Sequence, residues 1–145
     1  SNLPVEAIEM EYPLRVEDYA LIEDSGGAGT HRGGMGIRRS IRPVGHMCEF
    51  NGVGERFRHQ PWVIFGGTSG AQGAFHIETH DVEKVSLTSK ASRVKLWPEN
   101  MVVISTPGAG GYGTPKNRTK DALRQDLASG KFTEDFLNKH YKNNT

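Results

Sequence analysis

Glycine is concentrated in three short stretches of this chain. Most of its 18 glycines lie at residues 24–36, 66–73 and 108–113. Glycine lacks a Cβ, so it accepts positive φ angles and lets two backbones approach closely. Glycines grouped in this way differ from those of a flexible linker, which are spread evenly. The pattern predicts a chain of tight turns and closely packed short elements.

The remaining sequence predicts mainly strands. Apolar and polar residues alternate over 8–16, which predicts a strand with one buried face. Pro13 cannot donate to a ladder, so it should mark an edge, a bulge or a break. The continuous apolar run at 62–65 predicts a strand buried on both faces, and 49–58 predicts a hairpin or loop. Further strands are predicted at 19–22, 37–44, 75–79, 82–87, 94–96 and 101–104.

The C-terminal part has helical signals. Thr119 and Thr133 are suited to cap two short helices, and Gly130 is placed to end the first. Phe132 and Leu137 fit a hydrophobic staple across the second cap. The predicted fold class is mainly β, a β-roll or sandwich-like domain of about eight to ten short strands with two short C-terminal helices. We expect one domain, with a β-rich part over 1–116 and a helical tail over 117–145 packed on it.

Composition argues against several classes of protein. Lys and Arg number 18 against 17 Asp and Glu, a formal charge of +1. This balance gives no strong field for nucleic acid or an anionic membrane, and we expect neither as a partner. Cys48 is the single cysteine and has no internal disulfide partner, which favours a cytoplasmic setting. No apolar run approaches the length that spans a bilayer.

An ordered set of motifs resembles the hydantoinase B/oxoprolinase family. The set comprises Asn2-Leu3-Pro4-Val5-Glu6, the paired glycine motifs at 24–29 and 32–36, the loops at 65–67 and 70–73, Ser89-Lys90, and the signature at 106–115. Each glycine motif alone is weak, but their common order and spacing are specific. Two turns depart from the family pattern. Ala109 replaces a usual glycine, and Pro98-Glu99-Asn100-Met101 stands where Pro-Gly-Asp is more frequent.

The resemblance implies part of a multi-subunit enzyme that hydrolyses hydantoins, 5-oxoproline or lactams with ATP. It also implies a hydantoinase A-type partner subunit that holds ATP and Mg²⁺, and a divalent metal in the region that precedes this segment. We expect no cofactor on the segment itself, which would help to shape the active site and a subunit interface and would be inactive alone. Ketone carboxylation is the alternative within the family. A non-catalytic β-rich assembly or binding module is the alternative outside it.

The glycine motifs offer two interpretations. Their amides could form a nest for a phosphorylated intermediate, or the glycines could serve turns and close packing. The glycines concerned are Gly26, Gly27, Gly33, Gly34, Gly110 and Gly111. No Gly-x-x-x-x-Gly-Lys-Ser/Thr run is present, so this is not a nucleotide-binding P-loop. Turn and packing roles are the favoured interpretation.

Four side chains are candidates for contact with substrate or an anion: His31, Arg32, Arg56 and Lys90. Arg32 and Arg56 could clamp a carboxylate or phosphate, although ordinary salt bridges explain them as well. His76 and His80 lie about 13 Å apart if the stretch is a strand, so we predict no metal site there. Asp24 should accept amide bonds in its own turn, and Ser25 lacks an activating base. The sequence assigns no catalytic residue.

Overall fold

A computed structural model describes residues 2–81 and 83–142 of the chain. Within that part, seven strands and three short α-helices confirm the mainly β class. The elements are α1 (Val5–Glu11), β1 (Leu14–Leu21), β2 (Ile37–Pro43), β3 (Cys48–Val53), β4 (Ala74–Glu78), β5 (Lys84–Leu87), β6 (Lys90–Leu96), β7 (Met101–Ser105), a 3-10 turn (Pro115–Asn117), α2 (Lys120–Ala128) and α3 (Glu134–His140).

The chain divides into two compact units. The first contains the residues up to Ala20, Arg38–Glu55 and Ala74–Ser105; the second contains Leu21–Ile37, Arg56–Gly73 and the chain from Thr106 onward. The strands make up most of the first unit. The glycine-rich stretches and the two C-terminal helices make up most of the second. The predicted division at residue 116 stays a prediction.

The first unit is built around β7. The strand order is β1-β2-β7-β4-β5, and β7 pairs antiparallel with both β2 and β4. Val102 and Val103 are consecutive and point to opposite faces of the sheet, yet both are buried. That arrangement identifies β7 as a central strand covered on both faces. A second antiparallel pair joins β3 to β6 and contains an irregularity between Phe50 and Gly52.

The prediction of a strand over 8–16 is wrong in its first half. Val5–Glu11 form α1, which follows Pro4 and has Glu6 in its first turn, where a carboxylate is favourable. Ile8 is buried, whereas Met10 is 86% exposed, so the alternating residues do not share one buried face. Pro13 marks the break before β1, and β1 runs without interruption through most of the predicted strand at 19–22.

Two other predictions need correction. Residues 62–65 form no strand, and the loop that they form exposes 77% of Trp62 and 75% of Phe65. The predicted hairpin or loop at 49–58 instead contributes β3. The predicted strands at 37–44, 75–79 and 101–104 are confirmed, and 94–96 is the end of the longer β6. The strand predicted at 82–87 corresponds to β5, while Val82 lies outside the described residues.

The two C-terminal helices are confirmed with their caps. The Thr119 hydroxyl accepts from the Ala122 amide at 3.3 Å, and Thr133 accepts from Phe136 at 3.2 Å. Gly130 follows α2 with a φ of 67°, as a helix-ending glycine does. None of the helices in the described part of the chain has the length and apolar character needed to cross a membrane.

The core of the second unit lies beneath these helices. Phe132 is almost fully buried with Ala28 and Tyr141, and Leu137 packs against this group. The rings of Phe132 and Phe136 stack with centroids 4.2 Å apart. Phe132 and Leu137 therefore take the staple positions that the sequence predicts on either side of the Thr133 cap.

Candidate functional site

The three glycine-rich stretches bind one another through their backbones within the second unit. The Gly27 amide donates to the Ala109 carbonyl at 2.8 Å, and the Gly111 amide donates to the Thr68 carbonyl at 2.8 Å. The Ala71 amide donates to the Ser25 carbonyl at 2.8 Å, which links the first and second stretches. We call this backbone assembly the glycine cluster.

Close backbone contact requires glycine at two positions of this cluster. A Cβ on Gly27 would overlap the carbonyl oxygen of Thr68, and a Cβ on Gly111 would overlap that of Ala28. Gly34 differs, because a Cβ there would have only the Ala109 Cβ nearby, at 3.9 Å. Packing therefore explains Gly27 and Gly111, whereas Gly34 has room for a side chain.

The other predicted site glycines fit the same pattern. A Cβ on Gly26 would meet the Gly33 carbonyl oxygen at 2.5 Å, and one on Gly110 would overlap the carbonyl oxygen of Trp62. The Gly33 amide donates to the Gly27 carbonyl at 2.8 Å. Since the amides of Gly27, Gly33 and Gly111 already donate to carbonyls, an anion there would have to displace these bonds. This geometry favours turn and packing roles over a phosphate nest.

Arg32 is held by a buried carboxylate. Its Nε lies 2.9 Å from Oδ1 of Asp126, and Arg118 binds Oδ2 through Nη2 at 2.7 Å and Nε at 2.9 Å. Asp126 is 3% exposed. Arg118 also donates to the Thr30 carbonyl at 3.0 Å. We call Arg32, Arg118 and Asp126 the Asp126 clip. The clip attaches α2 to the glycine cluster, so the salt-bridge interpretation describes Arg32.

The exposed loop at 62–65 and Tyr112 form an apolar strip on the second unit. Tyr112 is 50% exposed, and its ring meets Phe65 edge-on with centroids 5.4 Å apart. Ile64 forms an isolated bridge to Tyr112 and is itself exposed. We call residues 62–65 together with Tyr112 the aromatic strip. So much exposed apolar surface in one place is typical of an interaction site.

His31 and Arg56 border this strip. The amide and carbonyl of His31 pair with those of Tyr112, at 3.0 and 2.9 Å, and His31 is exposed. The guanidinium carbon of Arg56 lies 6.0 Å from the centre of the Trp62 ring. Two of the four candidate contacts therefore lie beside aromatic side chains of this strip, His31 beside Tyr112 and Arg56 beside Trp62.

Two strained backbone positions lie in the same region. Arg56 has a φ of 60° and Phe65 a φ of 54°, the left-handed region that side chains larger than glycine rarely adopt. Such conformations persist only where the surroundings enforce them, and they cluster at binding surfaces and active sites. The strain supports a functional role for the residues around the strip.

Lys90 belongs to the first unit, whereas the other three candidate contacts belong to the second. It begins β6 in the first unit, is exposed, and pairs with Val53 across the ladder. The Thr88 hydroxyl donates to its carbonyl at 3.0 Å. Its predicted contact with an anion stays a prediction.

The remaining sequence candidates take structural positions. Ser25 is 1% exposed, donates to the Ile22 carbonyl at 2.5 Å and accepts from the Gly36 amide at 2.8 Å. Asp24 accepts from the amide and hydroxyl of Thr133, at 2.7 and 2.6 Å, so the prediction that it serves its own turn is corrected. No group of three or more His, Cys, Asp and Glu suited to a metal ion occurs among residues 2–81 and 83–142.

The sequence interpretation missed the buried polar contacts of the tail. Tyr141 accepts from the Gly29 amide at 3.0 Å and donates to its carbonyl at 3.2 Å, and burial raises the pKa of the phenol. Asp126 could have been found, because it lies three residues after Leu123, on the face of α2 that carries apolar residues. A carboxylate on such a face needs a basic partner.

Comparison with known proteins identifies the family. The model of the hydantoinase B/oxoprolinase family matches residues 1–115. An uncharacterised protein of Methanocaldococcus jannaschii is 38% identical over 141 residues, which cover 97% of this chain and 24% of that protein. The beta subunit of the caprolactamase of Pseudomonas jessenii is 32% identical over 143 residues, which cover 87% of this chain and 22% of that polypeptide.

Solved structures agree with the sequence comparison. The ATP-dependent caprolactamase from Pseudomonas jessenii matches with a TM-score of 0.79 and 26% identity, over 95% of this chain and 24% of that one. A nucleotide-free acetone carboxylase matches with a TM-score of 0.73 and 18% identity, over 97% of this chain and 23% of that one, a likeness of fold alone. The chain spans about a quarter of the length of the first relatives that it matches. With the motifs and the fold in agreement, the chain belongs to the hydantoinase B/oxoprolinase family.

Proposed function

We propose that this chain serves as part of the B-type subunit of an ATP-dependent hydrolase of cyclic amides. The observation that carries the proposal is the match of fold and sequence to the ATP-dependent caprolactamase, with a TM-score of 0.79 over 95% of the chain. The B-type subunit of a putative D-/L-hydantoinase from a Pseudomonas species, 31% identical over 137 residues, supports the same chemistry. The proposed substrate is a hydantoin, 5-oxoproline or a lactam.

The aromatic strip supports a role in assembly. Trp62 and Phe65 each expose about three quarters of their surface, in a chain that corresponds to only a quarter of the related polypeptides. Burying one large aromatic side chain stabilises a contact by about 1.5–3 kcal/mol. We infer that the strip packs against polypeptide corresponding to the rest of the B-type subunit. A hydantoinase A-type subunit would complete the enzyme.

The proposal places the cofactors outside this chain. The described residues include no cluster of metal-binding side chains, and the amides of Gly27 and Gly111 are already bonded to carbonyls. ATP and Mg²⁺ would bind the A-type subunit, and a divalent metal would bind the remainder of the B-type subunit. The chain itself would help to shape the active site without holding either group.

His31 and Arg56 are the proposed contacts for an anionic substrate or intermediate. Both border the aromatic strip. Arg56 also has a strained backbone, with a φ of 60°. Arg32 is a weaker candidate because Asp126 binds its guanidinium at 2.9 Å. Apolar surface around Arg56 would strengthen the attraction of its guanidinium for a negative charge once water is excluded, and the His31 ring can donate a hydrogen bond.

Ketone carboxylation is the second candidate, supported by the fold shared with acetone carboxylase. Hydrolysis is favoured, because the relatives with more than 30% identity include subunits of a caprolactamase and a hydantoinase. A non-catalytic binding module has no comparable support among these relatives.

The test uses the intact polypeptide that carries this chain, produced together with its ATP-binding partner. We expect ADP release that depends on a hydantoin, 5-oxoproline or caprolactam, and no release from the 145-residue chain alone. Release that depends instead on a ketone and bicarbonate would favour carboxylation. Activity of the isolated chain would contradict the proposal.

Two pairs of variants test the proposed contacts. His31→Gln and Arg56→Gln should each lower kcat/KM by about tenfold or more, a loss of about 1.4 kcal/mol in transition-state stabilisation. His80→Gln and Arg58→Gln change exposed residues of the same types and should leave kcat/KM unchanged. Equal effects in the two sets would exclude His31 and Arg56 as contacts.

A further inference from the structure

A groove lies between α2 and α3 in the second unit and plays no part in the proposed reaction. Its volume is about 440 Å³, within the range of roughly 300–1,000 Å³ that is typical of binding pockets. The helices lie outside residues 1–115, the part of the chain that the family model matches. The groove is therefore a feature of the tail, separate from the glycine cluster's shared motifs.

The floor of the groove is apolar. Leu123 and Leu127 are four residues apart on one face of α2, and Leu137 contributes from α3. Leu127 is 40% exposed, although its neighbours on the floor are partly buried. Apolar grooves between paired helices accept the apolar face of a third helix, whose anchors recur at three- and four-residue spacing.

The rim of the groove is mostly basic. Lys120, Arg124 and Lys142 line it with a single carboxylate, Glu134. Arg124 has a weak contact with Asp121 at 3.3 Å, where both side chains are largely exposed, so solvent screens that pair. Lys120 and Arg124 together outnumber Glu134, so the rim attracts a ligand that carries negative charge.

We propose that this groove is a docking site for an acidic amphipathic helix of a partner protein. Leucine-like anchors of that helix fill the floor beside Leu127, and its flanking carboxylates meet Lys120 and Arg124. The charge of the rim selects this partner over a neutral or basic helix. The interaction lies on the tail and does not require the enzyme to turn over.

The experiment measures binding of a fluorescent synthetic helix to the 145-residue chain by anisotropy. The probe is a peptide of about 15 residues, a length at which isolated helices begin to form. It carries leucines at three- and four-residue spacing and glutamates on both flanks. A second peptide has lysine in place of every glutamate.

We expect saturable binding of the acidic peptide and at least about tenfold weaker binding of the basic one, a difference of about 1.4 kcal/mol. Raising the salt from about 0.1 M to 1 M shortens the screening length from about 10 Å to 3 Å and should weaken the acidic complex. Equal binding of the two peptides, or no binding of either, would overturn the proposal.

Variants locate the binding site. The double variant Lys120→Glu/Arg124→Glu should lose at least about tenfold in affinity, and Leu127→Ser should weaken binding without unfolding the chain, because Leu127 is exposed. Lys116→Glu is the control, since it reverses the charge of an exposed lysine outside the groove. Circular dichroism checks that each variant is folded. A loss in the control equal to that of the double variant would refute this location.

Discussion

The Asp126 clip predicts a large stability loss from a small change. In Asp126→Asn the carboxylate becomes a neutral amide of nearly the same size. Arg118 and Arg32 then keep their positive charges, with side chains only 11% and 25% exposed. Removing one partner of a buried ion pair costs about 3–5 kcal/mol, because the remaining charge is left without compensation. We expect a loss in this range, a large part of the roughly 5–15 kcal/mol that stabilises a typical domain.

Urea unfolding followed by far-UV circular dichroism measures this loss. With an m-value of about 2 kcal/mol/M, a loss of about 4 kcal/mol lowers the midpoint by about 2 M. Asp121→Asn is the control, because Asp121 and Arg124 lie on the same helix with side chains 86% and 79% exposed. Exposed pairs contribute about 0–1 kcal/mol, so this variant should unfold close to the wild-type midpoint.

A further variant separates charge from lost contact. Replacing all three residues of the clip with apolar side chains removes the unpaired charges as well as the bonds, and should recover much of the stability lost in Asp126→Asn. If Asp126→Asn costs less than about 1 kcal/mol, or no more than Asp121→Asn, the clip does not attach α2 to the glycine cluster as argued.

Three further predictions concern the second unit. Gly27→Ala should prevent folding and so abolish cooperative urea unfolding, because the added Cβ would overlap the Thr68 carbonyl oxygen. Gly34→Ala, where there is room for a Cβ, should fold normally. Normal folding of both variants would contradict the close packing at Gly27. Tyr141→Phe should lower the free energy of unfolding by about 1–3 kcal/mol, since it leaves the buried Gly29 amide without its acceptor. An unchanged urea midpoint would show that this hydrogen bond does not stabilise the fold. Burial, followed by the charge of the neighbouring Lys139, lowers the pKa of His140 below its usual 6.5, so the unfolded chain binds this proton more readily. The stability contributed by neutral His140 should be present above pH 6.5 and be lost as pH falls through the lower folded-state pKa. In His140→Asn, the free energy of unfolding should therefore change less with pH in this range. An unchanged pH dependence would refute the assignment.

The helices of the tail could be predicted because their signals are local. Thr119, Thr133 and Gly130 each act on residues within one helical turn, so the sequence holds all the information. Residues 8–16 could not be resolved in this way. Alternation at Ile8 and Met10 fits a strand, while the residues around Pro4 also permit a helix, and tertiary contacts decide between them.

The site was less predictable than the fold. The motifs at 24–36 and 108–113 identified the glycine cluster, but the contact between Arg32 and Asp126 joins residues 94 positions apart. The apolar run at 62–65 predicts burial, because apolar residues usually lie inside a fold, yet Trp62 and Phe65 are largely exposed. Hydrophobicity indicates that a segment favours burial, but it does not indicate whether the covering surface belongs to the same compact unit.

Footprinting of Trp62 tests the central claim, that the aromatic strip packs against the rest of a B-type subunit. Hydroxyl-radical oxidation, read by mass spectrometry, compares this chain alone with the intact polypeptide of the proposed B-type subunit. Trp62 is 77% exposed and Trp97 is 50% exposed, so both should react in the isolated chain. We predict that the intact polypeptide protects Trp62 far more strongly than Trp97. Equal reactivity of Trp62 in the two samples would contradict the account.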